Sequence, residues 1–134
     1  MKDEKGFSLV ELLIAITILA IGLLAVAGMQ STAINSNAWA NRLSTATSLA
    51  QEVMEDLLAK DAGDVIFSAT TAATAYDLNI PDTTTMNINI SGAGTFSATR
   101  TITINTPVTG TVRIDVRVTD GTRTVTLRSY KRVI

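Results

Sequence analysis

Residues Gly6–Met29 read GFSLVELLIAITILAIGLLAVAGM, and this stretch decides the architecture of everything after it. Between Phe7 and Met29 one side chain is charged, that of Glu11. Leu12 to Met29 is a run of 18 residues whose only polar side chain is Thr17. At the rise of an α-helix it covers about 27 Å, close to the hydrocarbon thickness of a bilayer. An acidic side chain deep in such a layer costs roughly 2.5–3.5 kcal/mol on insertion scales, so Glu11 calls for a reason. One reason is position alone: near the membrane surface, the positive end of the helix dipole favours a carboxylate that reaches toward water. The other is a cationic partner.

Two amino-terminal signals compete. A secretory signal peptide has a basic flank, a short apolar core and a small-residue cleavage site beyond it. Here Lys2, Asp3, Glu4 and Lys5 cancel, the apolar run is long, and Gln30-Ser31-Thr32-Ala33 is a weak exit signal. A retained transmembrane helix is the better expectation.

Gly6-Phe7-Ser8-Leu9-Val10-Glu11, followed by an apolar run, resembles the class III leader of type IV pilins and type II secretion pseudopilins. The resemblance implies that a prepilin peptidase cuts between Gly6 and Phe7 and that the new amino terminus at Phe7 is N-methylated. It also implies that Glu11 pairs with the Phe7 amine of a neighbouring subunit. An ion pair in low dielectric is favourable only when well matched, so such a pairing would select processed and correctly docked chains. The segment Ile18–Gln30 is similar to minor pilins of the PilV, or pilus modification, class. Many major pilins carry a proline where Gly28 stands. Glycine costs only about 1 kcal/mol against alanine in a helix, so Gly28, with Gly22, permits local flexibility of the helix without imposing it.

Beyond Gln30 the apolar pattern becomes one-sided. Trp39, Leu43, Ala46, Ala50, Val53 and Leu57 recur at helical spacing and predict a core stripe with Trp39 included. The next proline is Pro81, and Gly63 follows Lys60 closely, so one helix is expected from about 7 to 60. Residues 61–85 are rich in Thr, Ala and Asp and are expected to form an irregular connection. From 86 to 130 the chain alternates. Met86, Ile88 and Ile90 share a strand face, as do Phe96, Ala98, Ile102 and Ile104, interrupted by Arg100. Val112, Ile114, Val116 and Val118 form a third face, and Val125 and Leu127 a fourth. Asp120-Gly121 signals a hairpin turn of type I′. The expected fold is therefore α+β and pilin-like: a long N-terminal helix, its first half transmembrane, packed against a four-stranded antiparallel β-meander. The expected organisation is a cleaved leader at 1–6, a membrane or filament-core half at 7–30, and a head at 31–134. The head comprises helix 31–60, connection 61–85 and meander 86–130.

Composition narrows the functions. Histidine and cysteine are both absent, which removes the usual general base, thiolate chemistry, disulfides and the commonest metal ligands. No catalytic residue, metal or cofactor is expected, and the Glu52-Glu55-Asp56 cluster reads as a solvated helix face. Charge is segregated. Arg42–Thr85 holds two basic and seven acidic residues, and Met86–Ile134 holds seven basic and two acidic, so the blocks carry −5 and +5. This is either balance within one chain or complementarity between identical subunits.

Arg113, Arg117 and Arg123 are candidates for a basic binding face, joined toward the end of the chain by Arg128, Lys131 and Arg132. Aromatic side chains for base stacking are scarce, so nucleic acid is disfavoured as a partner. The resemblance implies other partners: pilin subunits in a homo- or hetero-filament, prepilin peptidase, an inner-membrane assembly platform, and membrane lipid before assembly. It implies a bacterial inner-membrane location, single-pass with the head outside the cytoplasm, then a cell-surface pilus or periplasmic pseudopilus. An anchored enzyme and a surface- or DNA-binding tip subunit are the competing readings.

Overall fold

The computed structural model describes residues 7–77 and 87–133. The leader 1–6, the Pro81–Thr85 stretch and Met86 lie outside the described residues. The chain divides into two units, Met1–Ala38 and Trp39–Ile134, and the helix α1 (Leu9–Ala59) contributes to both.

In the first unit α1 is apolar on every side from Leu12 to Met29 but for Thr17, and polar side chains enter from Gln30 on. Its two threonines return their hydroxyls to the backbone: Thr17 Oγ1 donates to the Leu13 carbonyl at 2.7 Å and Thr32 Oγ1 to the Gly28 carbonyl at 3.1 Å. Polar groups on a water-free helix surface need such internal partners.

In the second unit α1 turns one face to a sheet. Ala46, Leu49, Ala50, Val53, Met54 and Leu57 are buried, at steps of three and one that trace a single stripe. The sheet contains β1 (Thr71–Tyr76), β2 (Asn87–Ile90), β3 (Gly94–Ile104), β4 (Thr111–Thr119) and β5 (Thr124–Arg132). All its pairings are antiparallel, in the order β1-β3-β4-β5 with β2 also paired to β3. Phe96, Ala98, Ile102, Val112, Ile114, Val116 and Val118 form its buried face and share one core with the helix stripe. Fully burying the valine, isoleucine and phenylalanine side chains among them stabilises by about 1.5–3 kcal/mol each. The α+β arrangement of long helix and antiparallel sheet is the one expected.

The segment expected to be an irregular connection holds more structure. Asp64 caps a 3-10 turn at Val65–Phe67 by accepting from the Ile66 N–H at 2.9 Å, and Phe67 enters the core. β1 then pairs with the free edge of β3. Tyr76 lies opposite Ala98 and Asn87 opposite Ser97, so β1 and β2 occupy one edge of β3 at consecutive register positions. The physical reason is that a strand edge left bare keeps unpaired N–H and C=O groups. Small, β-branched residues such as Thr71 and Thr74 can fill that edge without a hydrophobic signal of their own.

Trp39 departs from its expected core position. It is 45 % exposed and Leu43 is 41 % exposed. What reaches Trp39 is the β4–β5 turn, whose Arg123 guanidinium lies 4.5 Å from the ring centroid. A second tie runs from Asn41 Nδ2 to the Gly92 carbonyl in the β2–β3 turn, at 3.1 Å.

The β4–β5 hairpin forms where Asp120-Gly121 predicted it, but the turn differs. Asp120 N–H donates to the Arg123 carbonyl at 3.1 Å. Among the described turn residues only Gly121 has positive φ, at 86°. Positive φ at the first central residue alone is the type II′ pattern, whereas type I′ needs it at both. The Asp120 carboxylate accepts from the N–H groups of Thr122 (2.9 Å) and Arg123 (2.7 Å), which hold its pKa below the ordinary aspartate value.

Two outcomes follow for the folded head. Leu57→Ala removes a fully buried side chain from the helix–sheet core and should destabilise by about 2–5 kcal/mol, read by chemical or thermal unfolding. Asp120 is depressed in the folded state, so its contribution is complete above the unfolded aspartate value of about 3.9 and is lost as pH falls through the lower folded value. The stability gap between the natural chain and Asp120→Asn should therefore narrow below about pH 4 in thermal melts taken across pH.

Candidate assembly surface

The described chain starts at Phe7, which is 82 % exposed, and α1 begins two residues later with Glu11 as the acidic residue of its first turn. The first helical hydrogen bond runs from the Leu12 N–H to the Ser8 carbonyl, at 3.2 Å. A carboxylate there sits among backbone N–H groups without intrahelical partners, where the helix dipole favours negative charge. Glu11 is the only ionisable side chain from Phe7 to Asn41. Leu9, Leu13, Ile16, Ile21, Leu24 and Ile34 are all exposed, as are the other large apolar side chains between them. The helix is long and apolar enough to cross a membrane. An apolar surface this continuous, on a helix with no polar face, is built for a non-aqueous neighbour.

Gly22 and Gly28 lie inside the helix, and a Cβ at either would meet nothing within 4 Å. Packing inside the chain therefore does not demand glycine at these two positions. Gly6 lies outside the described residues.

The three arginines of the candidate basic face do not stay together. Arg113 and Arg117 alternate with Asp115 on β4, opposite in phase to the buried Val112, Ile114, Val116 and Val118, so they occupy the outer sheet face. Arg123 stands over Trp39 at the turn. Asp115 organises the outer face. Its Oδ2 lies 2.9 Å from Arg113 Nε and its Oδ1 2.6 Å from Arg128 Nε, with 16 % of the side chain exposed. The hydrogen bond to Asp115 and the carboxylate charge raise the Arg128 pKa. Among the described residues no group of three or more His, Cys, Asp or Glu is placed to hold a metal.

Two contacts escape a reading of the sequence because each joins distant segments. Tyr76 O–H donates to Asp56 Oδ2, clasping β1 to the helix, with the Arg100 guanidinium 5.9 Å from the ring centroid. Lys131 Nζ donates to the carbonyls of Leu58 (2.7 Å) and Lys60, capping α1 from β5. The last turn of α1 has no basic residue of its own to meet its unpaired carbonyls. Its lack is the one sequence signal for a cap from elsewhere.

Residues 1–27 match the family model described as the prokaryotic N-terminal methylation motif. That motif supports a type IV pilin-like or pseudopilin leader, and it contains both Glu11 and the first turns of the apolar helix. No curated protein and no solved structure matches the chain. The leader motif and the helix-on-sheet fold thus stand as two separate observations.

Burial, first, and then the hydrogen bond to Asp56 raise the Tyr76 pKa above the ordinary tyrosine value. A group raised on folding contributes fully below its unfolded pKa and loses that contribution as pH rises through the folded value. The head should therefore lose stability from about pH 10 upward. Tyr76→Phe should flatten that alkaline limb and lower stability at neutral pH, as read by unfolding across pH.

Proposed function

We propose that this chain is a structural subunit, of the minor class, in a type IV pilus-like filament. One observation carries the reading: a helix apolar on all sides from Leu12 to Met29 but for Thr17, its large side chains exposed within its own unit and a single carboxylate at its head. The N-terminal methylation motif over residues 1–27 supports it. The subunit waits in the bacterial inner membrane, single-pass, with its head outside the cytoplasm. Prepilin peptidase cuts between Gly6 and Phe7, and the amine released at Phe7 is methylated. An inner-membrane platform then moves the helix from lipid into a bundle of like helices. Protein replaces lipid around the same apolar surface, so the hydrophobic cost of leaving the membrane stays small.

Glu11 sets the register in this scheme. Its carboxylate faces the Phe7 amine of the neighbouring subunit, and in low dielectric a misplaced partner leaves both charges unpaired. Gly22 and Gly28 supply helix flexibility during the transfer. The same leader serves secretion pseudopilins, so the product is a surface pilus or a periplasmic pseudopilus. The role is architectural and calls for no catalytic group, metal or cofactor.

Intact mass of the chain in sheared filaments should begin at N-methylated Phe7, and its copy number should be low relative to the other subunits. Glu11→Val should insert into the membrane at normal levels yet enter filaments at least ten-fold less, about 1.4 kcal/mol of docking preference. Normal incorporation of that variant sinks the register role.

A further inference from the structure

Among the described residues, the acids of α1 and the arginines of the sheet are not joined by ion pairs within the folded head. The ion pairs among these residues join Asp56 of α1 to Lys60 just past its end, and Asp115 to Arg113 and Arg128 within the sheet. None joins an acid of α1 to an arginine of the sheet. Glu52 and Glu55 are both exposed and three residues apart, so they share one helix face with Cβ atoms about 5–6 Å apart.

Across the sheet from α1, the outer face of β4 and β5 gathers the opposite sign. Arg117 is exposed and lies opposite Thr99 on β3 and Thr126 on β5, neither of them acidic. Asp115 lies opposite Arg128, which makes Arg117 and Arg128 diagonal neighbours, about 7–8 Å apart. Asp115 holds Arg113 and Arg128 in place and cancels one of the three positive charges. The cluster of Arg113, Asp115, Arg117 and Arg128 is left with +2, against −2 for Glu52 and Glu55.

We propose that the outer β4–β5 face, centred on Arg117 and Arg128, docks the Glu52–Glu55 face of α1 in a second copy of this chain. A single chain cannot bring the two faces together, because its own sheet lies between them. The two patches are different surfaces of one molecule, so the contact is heterologous and propagates from copy to copy unless its rotation closes a ring. The inference deepens the filament reading and rests on it for the direction of propagation. The spacing of two guanidinium groups over two carboxylates sets the register of the heads, and Asp115 acts as a positioning residue for it.

The chain has no cysteine, so thiols introduced singly are unambiguous. Full-length chains carrying Glu55→Cys and Arg117→Cys are co-expressed, their membranes are mildly oxidised, and disulfide heterodimer is read on non-reducing gels. The control pairs Glu55→Cys with Val108→Cys, an exposed site in the β3–β4 loop. The expected heterodimer yield is several-fold above the control and falls several-fold in about 1 M salt, where screening acts within ~3 Å. Adding Arg128→Glu to one chain, or Glu52→Arg to the other, should lower the yield, and combining them should restore it. Melting curves of each variant keep misfolding separate from lost docking.

A yield equal to the control, or one indifferent to salt and to reciprocal charge reversal, overturns the contact. So does retention of duplex DNA by the arginine face in place of dimer. Sheared filaments scored from the same cells separate the two ideas. Filaments without the cross-link remove this contact alone, whereas the cross-link without filaments removes the filament reading and leaves the contact standing.

Discussion

The structure depends on one helix that is asked to satisfy two different surroundings. From Leu12 to Met29 its side chains are apolar in every direction but for Thr17, and from Ala46 to Leu57 only one stripe is buried. A helix apolar all round is stable where water is absent, and a one-sided helix where a sheet can cover the stripe. The sheet exists to meet that second demand. Its inward residues, from Phe96 on β3 to Val118 on β4, find in Ala50, Val53 and Leu57 the surface that removes them from water.

Around this helix–sheet contact the remaining features act as fasteners. Lys131 caps the helix end from β5, Tyr76 clasps β1 to Asp56, Asn41 holds the β2–β3 turn and Arg123 leans on Trp39. Each joins a polar or charged tip to the rim of an apolar core. Such contacts contribute modestly one by one, about 0.5–1.5 kcal/mol for a neutral hydrogen bond. Their effect is to fix where the sheet sits along the helix, something a smooth apolar interface does weakly. The partly uncovered Trp39 and Leu43 show where that cover thins out.

The same division explains what the chain can do. Its charged side chains are spread among the described residues over separate surfaces. Glu11 is the acidic residue in the first turn of the apolar helix, and the arginines of β4 and β5 are spread over an open sheet face around Asp115. The exposed apolar helix and the arginines of the outer sheet face both lie outside the helix–sheet core.

The sequence by itself determined the long helix, its apolar first half, the stripe from Ala46 to Leu57, the strands from Phe96 onward and the N-terminal methylation motif over residues 1–27. All of these are written in local periodicity or in a contiguous motif, and local patterns survive folding because backbone geometry imposes them. Only the tertiary structure decided that Thr71–Tyr76 is a strand, since its reason to pair is the bare edge of β3. It likewise decided that Trp39 lies half out of the core, that Arg123 leaves the company of Arg113 and Arg117, and that Lys131 caps a helix 73 residues away. Those outcomes depend on how far the sheet extends and which ends meet, and distance in space is not encoded in the spacing of residues along a chain.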